Sequence, residues 1–369
     1  MQVSPVNGTA ATKEVEVFFM PLTQKEDILS VAKKTKQLLR EAQLTEILEK
    51  KKLVAVKQHF GERGNNGYLK PQIAKVVGDV IKAHGGMPIL VETNTLYQGQ
   101  RANSYDHLML AHEHGFNIET VGMPVVILDG ITGQNQHSVP IPGKHFRSVF
   151  VVPDLPFFQS IFVLTHVKGH MMSGMGGAIK NLAMGFSSRA GKLAQHADFK
   201  PVINQKKCIQ CGLCGQFCPV AAPSLTGGEM QIDLGKCTGC GECFVACQSD
   251  AIGFDWAEAD RKFQEKMAEH ALGAVIGHPQ KVVYLNYLMY ITRQCDCWNA
   301  PNPPLFNDVG IFAGFDPVAV DRACYDVANA TLGEDVFRSL WPALDPLIQL
   351  EHGEAIGLGT QKYKLVELK

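Results

Sequence analysis

Charge of one sign is scarce in this chain of 369 residues, where 35 Lys and Arg face 36 Asp and Glu for a formal net charge of −1 at pH 7. No basic run exceeds a few residues. A surface that grips nucleic acid or an anionic membrane needs clustered positive charge to neutralise phosphates, so neither partner is expected. Long apolar runs are lacking as well. The stretch from Val149 to Leu164 is interrupted by Pro153, Asp154 and Pro156, well short of the roughly twenty residues a membrane span needs. Met1 to Glu14 shows neither a basic nor an apolar leader region. A soluble, cytoplasmic protein is expected.

Cysteine, by contrast, is abundant. Eight of the 11 cysteines fall in two runs of the same spacing, Cys208-x-x-Cys211-x-x-Cys214-x-x-x-Cys218-Pro219 and Cys237-x-x-Cys240-x-x-Cys243-x-x-x-Cys247. Three thiolates at i, i+3 and i+6 on a tight loop hold three corners of an Fe4S4 cube, while the fourth points to the neighbouring cube. That logic assigns Cys208, Cys211, Cys214 and Cys247 to cluster I, and Cys237, Cys240, Cys243 and Cys218 to cluster II. Zinc requires only four ligands, and four disulfides require an oxidising compartment; both fit the duplicated run less well. The stretch Lys206 to Trp256 resembles a bacterial-type two-cluster ferredoxin. It departs from that family at Gln248, where a Pro usually follows the last Cys, and no ligand is lost.

The ferredoxin-like stretch uses only about fifty residues, and a chain with 46% hydrophobic residues can build a substantial core from the rest. Val15 to Met20, Leu53 to Lys57, Pro88 to Glu92, Val125 to Leu128, Val149 to Val152, Ile161 to Thr165 and Val282 to Leu288 read as strands, several of them continuous Val/Ile/Leu runs buried on both faces. Ile28 to Leu48, Pro71 to His84, Tyr105 to His114, Glu258 to Leu272 and Pro317 to Ala330 read as helices. Alternating strands and helices imply an α/β fold with a mostly parallel sheet. Because the pattern resumes after the cysteine runs, a discontinuous host (12–200 and 257–369) carrying an inserted α+β cluster module (201–256) is expected.

Within the host, Thr165-His166-Val167-Lys168-Gly169-His170 leads through Gly174, Gly176 and Gly177 to Lys180 at the start of a helix. Glycines, a helix N-terminus and a lysine together suit an anion or cofactor, with His166 and His170 as catalytic candidates; a plain Gly-rich turn with solvent-facing histidines is the alternative. His59 and Arg63 follow another strand, and a polar segment runs from Thr93 to Arg101. Cys295-Asp296-Cys297 places two thiols on one side of an extended chain, suited to a soft metal, a labile disulfide or simple packing. Asp316 before Pro317 reads as a helix N-cap, leaving Asp321 and Cys324 without a task.

The succession of these motifs with the cluster segment is similar to the domain-of-unknown-function family numbered 362, across nearly the whole chain. That resemblance implies an architecture and no settled reaction. The segment His170-x-x-x-Gly174-x-Gly176-Gly177-x-x-Lys180-x-x-x-x-Gly185, with His196 downstream, looks like part of the nickel-pincer-nucleotide lactate racemases. By that resemblance His170 would move protons, Lys180 would tether a cofactor and His196 would bind metal, although the family's second His-Arg pair has no clean counterpart near Tyr97 to Arg101.

The expected function is an iron–sulfur protein with two 4Fe-4S clusters that exchange single electrons with a donor or acceptor protein and with a small-molecule site in the host cleft. His196, Cys295 and Cys297 are candidates for an additional metal. The rival is a non-redox, racemase-like or other metal-dependent enzyme whose clusters are structural. A scaffold that only docks an electron-transfer partner is a third reading.

Overall fold

The computed structural model describes residues 14–369 except 24–25, 98, 197–200, 219, 238–242, 244–246, 248, 250 and 255–258. Cys240, Pro219, Gln98, Gln248 and Trp256, and the first thirteen residues, therefore lie outside the described residues.

Eight strands form the main sheet: β1 (Val15–Pro21), β2 (Leu53–Gln58), β3 (Met87–Glu92), β4 (Val125–Ile127), β5 (Ser160–His166), β6 (Val282–Leu288), β7 (Gly310–Gly314) and β8 (Tyr363–Glu367). Their order is β8-β1-β7-β6-β5-β2-β3-β4. Only β7 runs antiparallel to its two neighbours; β6-β5-β2-β3-β4 and β1-β8 pair in parallel. The fold is α/β with a mostly parallel sheet.

Strand alternation divides the core into two faces. Val54, Val56, Phe162 and Leu164 pack towards the helices Ile28–Glu41 and Pro71–Ala83, whereas Ala55, Ile161 and Val163 join the opposite core with residues of the helices Ala178–Gly185 and Pro317–Leu332. Helices thus cover both faces, as buried parallel strands require.

Three expectations need correction. The first helix ends at Glu41, because Ala42 closes it and a turn carries the buried Leu44 back to the core. The strand expected at Val149 to Val152 is Ser148–Val151 in a separate two-stranded hairpin with His137–Pro140, so only its alternate residues are buried. The stretch Gly310–Gly314, not expected as a strand, occupies an interior position between β1 and β6.

Between β5 and the helix Ala259–Val275, the strands among the described residues of 201–254 pair with one another: Pro201–Ile203 with Ile252–Phe254, and Pro223–Thr226 with Glu229–Ile232. A repeat is visible in their hydrogen bonds. Asn204 donates its N–H to Ala251 (2.7 Å) and accepts from Cys208 (3.1 Å); 29 residues later Asp233 donates to Ala222 (2.9 Å) and accepts from Cys237 (3.0 Å). The backbone that leads into each cysteine run is therefore duplicated as well.

Candidate functional site

In parallel strands the carboxyl ends share one edge, and an open α/β sheet leaves its crevice there. Here the ends of β2, β3 and β5, with the loops after them, line a cavity of about 810 Å³. The cavity holds Lys57, His59, Glu62, Glu92, Arg101, His166, Lys168, His170, Gly176, Gly177, Lys180, Lys192, His196, Cys295, Asp296 and Cys297. Cys247, the last cysteine of the second run, lines the same cavity.

Two buried ion pairs form its floor. Lys57, 1% exposed, reaches Glu92 at 2.9 Å and donates to Asn181 Oδ1, also at 2.9 Å. Burial pulls the Lys57 ammonium down from its usual range, opposed by Glu92; Glu92 is held low by Lys57 against the effect of its own burial. Lys192, close by, donates to Thr93 Oγ1 and is brought to about 8 by burial. The second pair joins Arg101 Nε to Glu62 at 3.0 Å, with a further bond from Arg101 Nη1 to His59 Nε2 at 2.8 Å. Arg63 instead extends outward to Glu113, so Arg101 rather than Arg63 accompanies His59.

The segment after β5 forms a short hairpin, Lys168–His170 against Gly174–Gly176, with Gly174 in the left-handed region at φ 68°. His166 is buried and committed. Its Nδ1 faces Asp296 at 2.9 Å, and its Nε2 faces the carbonyls of Met289 and Tyr290, each at 3.1 Å. With both nitrogens engaged it orients Asp296 and is not placed to exchange protons with a ligand. His170 differs. His170 Nδ1 is met by the Ser173 hydroxyl (2.8 Å) and by the Met172 N–H (3.4 Å), and the same hydroxyl reaches the Met175 carbonyl (2.9 Å). Burial, assisted by the Lys180 charge, keeps the ring well below its usual range and neutral. His196, brought to about 4 by burial, packs with His170 around Phe263. The solvent-facing alternative for His166 and His170 is thereby corrected: they are 3% and 6% exposed.

The helix N-terminus beyond the glycines is not open to an anion. Asp321 accepts from the N–H groups of Ala178 (2.7 Å) and Ile179 (3.0 Å) and from Asn286 (2.6 Å), and burial raises its carboxyl to about 6. A Cβ on Gly177 would lie 2.3 Å from the Asp321 carboxylate, which explains the glycine there. Asp321, left without a task by the sequence, caps the helix that carries Lys180.

Cys295 and Cys297 lie on a turn closed by Trp298 N–H on the Cys295 carbonyl at 3.0 Å, rather than on extended chain. Their sulfurs are 2.6 Å apart. Two thiolates bound tetrahedrally to one metal at about 2.3 Å each would be about 3.8 Å apart, so the geometry does not suit a shared metal. Asp296, between them, turns the other way to His166 and Lys168. Hydrogen bonding from Cys295 drives Cys297 well below the usual thiol range against the effect of burial, with help from Lys180 and His59; Cys295 moves up correspondingly. Lys180 is raised despite its burial, by Cys297, Cys295 and Asp296. The two thiols are thus shifted in opposite directions, Cys297 down and Cys295 up.

In the cysteine-rich segment, Cys208, Cys214, Cys243 and Cys247 gather around Met230 and Ile252. Backbone N–H groups of Ala222 and Ala251 donate to Cys218 Sγ (3.3 Å) and Cys247 Sγ (3.2 Å) at equivalent places. Such N–H···S bonds favour thiolates. Among the described residues no three His, Cys, Asp or Glu side chains converge as a metal-holding group; Cys240 is outside them. Sulfur donors, paired runs and N–H support nonetheless have the chemistry that an iron–sulfur cube requires.

A family model described as "Domain of unknown function (DUF362)" matches residues 54–326. The chain belongs to the DUF362 family. This DUF362 chain is also 35% identical over 81 residues to pyruvate synthase subunit PorD of Methanothermobacter marburgensis, covering 22% of the chain and 93% of that subunit. It is 33% identical over 48 residues to the delta subunit of NADH-dependent phenylglyoxylate dehydrogenase from Aromatoleum evansii, covering 13% of the chain and 52% of that subunit. Among solved structures, the lactate racemase apoprotein of Thermoanaerobacterium thermosaccharolyticum aligns at 10% identity and a TM-score of 0.39, over 75% of this chain and 51% of that one. A protein of Thermotoga maritima aligns at 11% identity and a TM-score of 0.41, over 81% and 59% of the two chains. The chain thus spans only about half the length of these solved structures.

Lys57, Glu92 and Lys192 escaped the sequence reading. The available signal was a charged residue at the carboxyl end of each of two apolar strands, where a parallel sheet presents its ligand edge. Among the described residues no helix is long and apolar enough to cross a membrane.

Proposed function

We propose that this is an iron–sulfur protein in which residues 201–256 form a module, inserted in the α/β host, that exchanges single electrons with a site in the host cleft. One observation carries the reading: Cys247, assigned to cluster I, shares a cavity wall with His170, Lys180, Cys295 and Cys297. The eight cysteines of the two runs would hold two 4Fe-4S clusters, and such clusters supply one-electron transfer with little ligand movement. The protein's own groups do the remainder. Lys168, Lys180 and Arg101 attract an anionic ligand into the cleft, and neutral His170 accepts or returns a proton. The relatives named as subunits of pyruvate synthase and of an NADH-dependent dehydrogenase support a protein partner that gives or takes electrons.

Iron content and electron paramagnetic resonance of anaerobically purified protein test this. About eight irons per chain are expected, with half-spin signals after dithionite, as two reducible cubes require. Zinc in place of iron, or clusters that dithionite leaves unreduced, would contradict the relay.

A further inference from the structure

We propose that Cys295 and Cys297 form a two-electron redox centre that alternates between dithiol and disulfide, fed one electron at a time by the iron–sulfur module across the cleft. This rests on the proposed relay and names the group in the cleft that takes its electrons. Four observations meet here. The turn closed between Cys295 and Trp298 brings the sulfurs to 2.6 Å, about half an ångström more than a disulfide bond. Backbone and side-chain contacts hold that turn: the Glu62 N–H donates to the Asp296 carbonyl (2.9 Å), and the Tyr97 hydroxyl to the Cys297 carbonyl (3.2 Å). Lys180 lines the same cavity as Cys295 and Cys297. Cys295 and Cys297 line the cavity that Cys247 also lines, so the pair and the module border one space.

The half-reaction balances. Reduction breaks the S–S bond, adds two electrons and takes up one proton. Cys295 keeps the proton as a thiol, and Cys297 remains a thiolate opposite Lys180. The reductant is a one-electron iron–sulfur donor acting twice, and oxidation is the reverse. Cys324 takes no part: it is fully buried beside Asn286, away from solvent and ligand.

Trypsin cleavage after Arg293 and Arg322 gives a peptide, residues 294–322, whose only cysteines are Cys295 and Cys297. Full-length protein purified without oxygen is equilibrated in graded mixtures of reduced and oxidised dithiothreitol, acid-quenched, alkylated and digested. The expected result is a switch of this peptide between doubly alkylated and unalkylated forms as the ratio changes, as a two-electron couple requires. Double alkylation at every ratio, or single alkylation with the other thiol joined elsewhere, would overturn the proposal. Dithionite titration gives a second readout: about four electrons per chain in the wild type and about two in Cys295→Ser. Equal uptake in the two proteins would also overturn it. Iron-loaded protein whose peptide never switches would contradict the dithiol alone, whereas iron-free protein whose peptide does switch would contradict the relay.

Discussion

Replacing Lys57 by Met is expected to destabilise the protein by about 3–5 kcal/mol, because it strands Glu92 as a charge in the interior. The pair is 2.9 Å apart with side chains 1% and 4% exposed, and Lys57 also supplies a donor to Asn181. Coulomb attraction between such groups scarcely exceeds what desolvation costs them. The damage therefore comes from breaking the pair, not from doing without it. The double variant Lys57→Met, Glu92→Gln should recover most of the loss, and urea unfolding of the wild type and both variants checks this. A loss below about 1 kcal/mol in Lys57→Met would show that Glu92 is not held as a buried carboxylate.

The second large effect concerns iron. If the fourth cysteine of each run serves the opposite cube, Cys214→Ala and Cys247→Ala should damage one cluster, and Cys218→Ala and Cys243→Ala the other. Each variant should retain about four of about eight irons, with the surviving spectrum shared within each set. The backbone supports this crossing. Cys218 and Cys247, the fourth cysteines of the two runs, receive matching N–H bonds at equivalent places of the repeat. Anaerobic iron determination with low-temperature spectra distinguishes the patterns. Grouping by run, with Cys218→Ala matching Cys214→Ala, would contradict crossed ligation.

Much of the main sheet was legible because parallel strands are buried on both faces and therefore appear as unbroken Val/Ile/Leu runs. Gly310–Gly314 was not: five residues flanked by glycine carry too little apolar signal, and its place is set by neighbours far away in sequence. The helix beginning at Ile28 was read too long because Leu44 and Leu48 continue its apolar spacing beyond the cap at Ala42. In the site, the cysteine runs and the residues His170 and Lys180 stand out by type and spacing. Asp321 does not, since its carboxylate caps a helix that begins 143 residues earlier. The Cys295–Cys297 approach was visible only as same-side thiols; a turn, rather than extended chain, brings the sulfurs together.

In the proposed relay the iron–sulfur module and the cleft share electrons through the Cys247 wall. Potentiometric titration of the cluster spectra in the wild type and in Lys180→Met tests it most directly. Loss of a positive charge from the cleft makes an added electron nearby less stable. One cluster, the one that loses its signal in Cys247→Ala, should show a more negative midpoint in Lys180→Met, while the other stays in place. Identical midpoints for both clusters in the two proteins would contradict the account.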